Sequence, residues 1–157
     1  MYHAIVRRKL KKAFEAINAG DYSGIVAQFA AQHRHAMYGH HALAGERRSL
    51  QSTTRWYERL KRLLPDLRFE IQSIAVTGWP WDTRALVSWT DGFTLPDGSR
   101  GNNQGVHELR LAWGKVVALE VHCDTAKLEA YCARMNQLGL VEAAAAPITD
   151  VEAVQLA

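Results

Sequence analysis

Cysteine is nearly absent: the 157-residue chain holds two, Cys123 and Cys132, too few for a disulfide framework and without the paired spacing of a zinc site. Both read as reduced thiols. Long apolar runs are missing too. No stretch approaches the roughly 18 residues of a membrane span, and the basic Arg7-Arg8-Lys9 is followed by no signal-like apolar block. A cytoplasmic protein with no membrane partner is expected. Acidic residues are scarce over residues 1–62, 4 against 12 Lys and Arg, and the remainder reverses the balance with 12 against 7. Such a bias can mark a nucleic-acid surface. Here the basic residues lie between apolar positions at helical spacing, with no aromatic interleaving and no helix-turn-helix signal, so solvated helix faces and no nucleic-acid partner are expected.

What is present is a hydrophobic content of 48%, enough to bury one continuous core at this length. Val6, Leu10, Ala13, Phe14 and Ile17 give a first helix ending at Asn18-Ala19-Gly20. Asp21 offers a cap for a second, shorter helix through Ile25, Val26 and Phe29. His33 to Tyr38 reads as extended, and Glu46 to Leu64 as the longest helix, stopped by Pro65. Alternation then takes over: Leu67, Phe69 and Ile71 on one phase and Ile74 and Val76 on the other predict a bulge near Gln72-Ser73. Thr83 to Leu95, Arg100 to Ala112 and Val116 to Cys123 read as strands, and Asp124 caps a final helix to about Asn136. Helices first and a strand meander after them predict an α+β domain over residues 1–136. The Ala-rich residues 137–157 are expected to form a loosely packed tail.

Turn chemistry sets a register. With Asp97-Gly98 as a two-residue loop, His107 faces Ser88, Gly105 faces Thr90 and Leu109 faces Leu86. With Trp113 to Lys115 as a three-residue loop, His107 faces Val121, Leu109 faces Leu119 and Gly105 faces Cys123. One sheet face then carries Leu109, Leu111, Val117, Leu119, Val121 and Cys123, and its reverse Glu108, Arg110, Glu120 and His122. His107 is the polar exception among apolar neighbours. The same register puts Trp89 and Phe93 on the uncovered face, predicting a homodimer through them, and puts Asp91 and Gln104 away from the pocket.

Helix one ending in Ala-Gly-Asp, the run Trp56-Tyr57-Glu58-Arg59-Leu60 leading to Leu64-Pro65-Asp66-Leu67-Arg68, and Gly105-Val106-His107 through Trp113-Gly114-Lys115-Val116 to Asp124 together resemble the SnoaL-like branch of the nuclear transport factor 2-like superfamily. The resemblance covers residues 3 to 136. It implies a curved sheet covered by helices around a small-molecule pocket, and spans ketosteroid isomerases, polyketide cyclases, epoxide hydrolases, dehydratases and non-catalytic members. Carried across, the isomerase base matches about Ala36, and its oxyanion tyrosine matches Ala13, so neither is present unless Tyr57 or Tyr38 substitutes for the phenol. The second oxyanion carboxyl, like the cyclase aspartate, matches His107. Trp56 matches an aromatic wall.

The pocket expected on these grounds is lined by Phe14, Tyr38, Trp56, Tyr57, Ser88, Thr90, Leu109, Leu119, Val121 and Cys123 around His107, the one catalytic candidate. Burial should lower the His107 pKa and keep the ring neutral. His33, His35, His40, His41 and His122 read as surface or interface residues, and no metal or cofactor is expected. Cys123 reads as a small buried thiol. The ligand expected is apolar or aromatic, handled by an isomerase, cyclase or hydrolase, or held by a non-catalytic module. A cavity of roughly 300 Å³ or more reaching His107 would favour the ligand readings, and a collapsed core the interaction module.

Overall fold

Because Val6, Leu10, Phe14 and Ile17 recur every three or four residues, helix α1 (Tyr2–Asn18) buries that stripe and leaves Arg7, Arg8, Lys9, Lys11 and Lys12 in solvent. The computed structural model describes residues 1–150. Asn18 ties the end of α1 to strand β3 (Arg68–Trp79), accepting from the Phe69 amide at 2.7 Å and donating to its carbonyl at 2.9 Å. Helix α2 (Ser23–Val26) is a single turn, shorter than expected, because Phe29 already opens strand β1 (Phe29–Met37). Strand β2 (Gly45–Ser49) pairs antiparallel with β1. Helix α3 (Leu50–Leu63) therefore starts later than Glu46, at the point where the Ser49 hydroxyl accepts from the Ser52 amide.

Strands β4 (Asp82–Thr94), β5 (Arg100–Ala112) and β6 (Lys115–Cys123) follow, and Asp124 caps helix α4 (Thr125–Gln137). The described strands form one curved mixed sheet in the order β2-β1-β6-β5-β4-β3, with β1 and β6 parallel. This is the α+β architecture expected, and the bulge in β3 falls between Ile71 and Ser73. Residues 138–150 are not loose. A 3-10 turn, Val141–Ala144, buries Ala143, Ile148 is buried beyond it, and the Asp150 carboxylate accepts from the hydroxyls of Ser49 and Ser52 at the start of α3. The rest of the expected tail, 151–157, lies outside the described residues.

The β4–β5 turn departs from expectation by one residue. The loop is Pro96-Asp97-Gly98, closed by Leu95 and Ser99, with Gly98 at φ +83°. Side chains alternate along a strand, so this single step exchanges the two faces of β4. His107 pairs with Val87, Gly105 with Trp89 and Gly101 with Phe93. Trp89 and Phe93 accordingly point inward and are 3% and 1% exposed, so the dimer contact expected through them is overturned. Ser88 and Thr90 lie on the outer side, bonded to Ser73 and Gln72 of β3.

Candidate functional site

Strand β5 has no side chain where the Trp89 indole lies. A Cβ at Gly105 would stand 2.7 Å from that ring and 2.1 Å from the His122 carbonyl oxygen. The indole uses the space to donate from Nε1 to His107 Nδ1 at 2.7 Å. An indole N–H can only donate, so Nδ1 is the acceptor and the ring proton sits on Nε2. Burial, helped by the nearby His122 ring, pushes the His107 pKa down to about 3. At neutral pH His107 is an uncharged imidazole whose free N–H is Nε2.

His35, on β1, repeats the arrangement with a different donor. Arg47 Nε donates to its Nδ1 at 2.9 Å, which again leaves the proton on Nε2. Arg47 is itself fully buried, held by the carbonyls of Ala44, Gly45 and Ile148 and stacked 5.3 Å over Trp56. Burial lowers its pKa to about 10, so it stays charged at pH 7. Burial first, and then the Arg47 charge, hold His35 well below the ordinary histidine range. A cation behind a neutral imidazole makes the opposite N–H a stronger donor. That nitrogen, His35 Nε2, is buried with no partner.

Asp91 is two residues from Trp89 on β4 and so shares its inward face. Its Oδ1 is buried without a hydrogen-bond partner. Burial raises its pKa to about 6, against the opposing pull of the Asn103 backbone and the Lys127 charge. His35, Asp91 and His107 line one chamber of about 50 Å³, walled by Trp56, Tyr57, Trp89, Val121 and Cys123. Burial and then the Asp91 charge push the Cys123 thiol up to about 11. Beyond His107, between α1 and the sheet, lies a larger chamber of about 320 Å³ lined by Phe14, Leu109, Leu111 and Leu119. Ile17, Tyr57 and His107 border both.

Of the residues expected in the pocket, Trp56, Tyr57, Val121 and Cys123 thus line the small chamber, and Phe14, Leu109 and Leu119 the large one. Ser88 and Thr90 face outward. So does Tyr38, which is 44% exposed and hydrogen-bonded to Glu120, because β1 alternates and presents His35 and Met37 to the interior. His35, Trp89 and Asp91 are the additions. The one-residue change of register brings Asp91 to the inner face, and His35 is a core residue rather than a surface one. His33 and His41 are also buried. Both ring nitrogens of His33 are engaged, with Ala30 and Thr53.

Fold and site together define a helix-covered curved sheet enclosing a chamber with buried polar groups. The chain belongs to the SnoaL-like domain family, whose model matches residues 10–119. Similar solved structures include an NTF2-like protein of unknown function from Burkholderia pseudomallei (TM-score 0.71, 20% identity, 80% of this chain and 95% of that one). AclR, a putative hydroxylase from Streptomyces galilaeus, is also similar (0.66, 23%, 85% and 97%). So is PrhC from Penicillium brasilianum (0.68, 13%, 82% and 85%). At these identities the likeness is one of fold. Among curated proteins none matches the chain.

Proposed function

We propose that the chain is an acid–base enzyme acting on a small apolar carbonyl compound, with Asp91 moving the proton and the Nε2–H groups of His35 and His107 holding the oxygen. One observation carries this reading. A carboxyl poised near pH 6, with an unpartnered buried oxygen, shares a chamber with two neutral imidazoles whose Nδ1 atoms are already tied. Buried polar atoms ordinarily find partners within the fold. Those left over are matched to a ligand.

In this scheme the Asp91 carboxylate takes a proton from the carbon beside the carbonyl, the C–H electron pair forms the carbon–carbon double bond, and the carbonyl π pair moves onto oxygen. The enolate is stabilised by donors fixed in place before the charge develops, each worth about 10²- to 10³-fold in rate. Where a β,γ double bond extends the enolate, return of the proton from Asp91 to the γ-carbon gives isomerisation; attack of the enolate on an internal carbonyl, with the Asp91 proton passing to the new alkoxide, gives ring closure. Neither needs a cofactor. The larger chamber beside His107 offers room for the apolar body of such a compound.

The non-catalytic alternative rests on the Trp89–His107 bond, which would also serve a purely structural ring. Hydrogen–deuterium exchange at the α-carbons of 2-tetralone, followed by proton NMR, separates the two. Exchange accelerated by the protein and lost in Asp91→Asn is the expected result. Saturable binding of the ketone with no acceleration over buffer leaves a binding module.

A further inference from the structure

Three of the five tryptophans stand in the open at one end of the molecule. Trp79 at the end of β3, Trp81 in the β3–β4 turn and Trp113 in the β5–β6 turn are 65%, 56% and 74% exposed. They form a continuous row: Trp79 and Trp81 stack at 5.9 Å, and Trp81 meets Trp113 at 6.2 Å. The turns are locked together by the Trp113 amide on the Pro80 carbonyl, and α1 is fixed over them by His3 on the Gly78 carbonyl, Tyr2 on Thr83 and Lys9 on the Gly114 carbonyl. The row is a built surface, not a set of loose side chains.

Its electrostatics are one-sided. Residues 1–9, 78–84 and 110–115, which lie around the row, contain six Lys and Arg and a single acidic residue, Asp82, itself bound by Arg110 at 2.8 Å. The larger chamber opens here. Its rim includes Ile5, 60% exposed, with Lys9, Pro80 and Trp113. A second copy is a poor occupant, since a symmetric contact would set this basic end against itself. Tryptophan with lysine and arginine is instead the composition that seats in the headgroup layer of a membrane, indole at the polar boundary and cations among anionic phosphates.

We propose that this end docks on an anionic lipid surface, with Trp79, Trp81 and Trp113 set among the headgroups and the mouth of the apolar chamber turned toward the acyl chains. The expectation of no membrane partner rested on the lack of a spanning segment. No helix among the described residues is long and apolar enough to cross, but lying on a membrane makes no such demand. Each basic side chain near an anionic surface adds about fivefold to binding and is screened by salt.

Co-sedimentation of the full chain with vesicles of phosphatidylcholine alone, and of equal parts phosphatidylcholine and phosphatidylglycerol, tests this together with tryptophan emission. Binding to the mixed vesicles only, a blue shift, and release at high salt are expected. The exposed double variant Trp81→Ser/Trp113→Asn should bind at least tenfold more weakly, and Arg8→Gln/Arg84→Gln roughly 25-fold more weakly, both with unchanged circular dichroism. No binding to mixed vesicles, or binding indifferent to the tryptophan variant, overturns the proposal. So does self-association in sedimentation velocity that the tryptophan variant abolishes, or a single-stranded oligonucleotide taken up by this face in place of vesicles. None of these outcomes depends on the ketone chemistry of the small chamber, and Asp91→Asn should bind vesicles like the unmodified protein.

Discussion

The two faces of the sheet come from the same strands yet treat their polar groups in opposite ways. Outside, Arg34 holds Glu46 and Glu120, Tyr38 adds a second bond to Glu120, and Arg110 holds Asp82, all with partial access to water. Inside, His35, His107 and Asp91 carry polar atoms that the protein does not pair on the chamber side. Satisfied, exposed pairs contribute little to stability. Buried groups with capacity to spare cost stability, and only a ligand or a reaction recovers it.

The largest expected effect comes from removing the space that makes the inner arrangement possible. In Gly105→Ala the new methyl meets a backbone oxygen and the indole that positions His107, and neither is free to move. Urea unfolding should show a loss of roughly 3 kcal/mol or more. Gly98→Ala is the control. It sits in the β4–β5 turn at φ +83° with nothing near its Cβ, so about 1 kcal/mol is expected. Equal losses in the two would mean that the indole is not held where it lies.

Asp91→Asn separates function from stability. Exchange of the ketone α-hydrogens should fall by about 10²- to 10⁴-fold, while stability at pH 7 rises by about 1–2 kcal/mol, allowing for partial solvent screening. The sign follows from the raised pKa. A carboxyl displaced from an ordinary 3.8 to about 6 contributes stability below pH 3.8 that is lost as pH rises through 6. The difference between the two proteins should therefore open between pH 4 and pH 7. The exchange rate of the unmodified protein should climb through about pH 6 as the base ionises.

The inner and outer faces were unequally legible in the sequence. The β5–β6 register followed from clean alternation, although the turn has two residues, Trp113 and Gly114, both at positive φ, and a bulge restores the count between Arg110 and Leu111. For β4–β5, Asp-Gly on its own completes a two-residue loop, and the inclusion of Pro96 in the turn brings Asp91 and Trp89 to the inner side. A usable signal was present. Trp89 and Phe93 are four apart, as are Gly101 and Gly105, and the observed register gives each large ring a glycine neighbour. His35 had no local signal, because its burial depends on Arg47, which reaches Ile148 across 101 residues of chain.

His107→Ala and His122→Ala compare neighbouring strands across the sheet. The first leaves the buried Trp89 N–H unpaired and should cost about 1–3 kcal/mol at pH 7. The second, at an exposed site, should stay within about 0.5 kcal/mol. Because burial lowers the His107 pKa from 6.5 to about 3, its neutral form stabilises the fold fully above pH 6.5, and that contribution is lost as pH falls toward 3. His107→Ala should flatten this part of the acid limb in denaturation measured at successive pH values, and His122→Ala should leave it in place.

The smallest effect belongs to Tyr38, which the pattern of residues placed in the pocket and the fold turns outward. Its hydroxyl donates to Glu120 at 2.7 Å and accepts from Arg34 at 3.3 Å, in contact with water. Arg34 keeps its own contact with Glu120 when that hydroxyl is gone. Tyr38→Phe should therefore cost no more than about 0.5 kcal/mol, an amount that shrinks further as salt screens the remaining charges. Ketone exchange should be unchanged, since no atom of Tyr38 lines either chamber. A Tyr38→Phe protein that folds normally but loses exchange would put the outer face into the reaction, and the division between a satisfied exterior and an unsatisfied interior would fail.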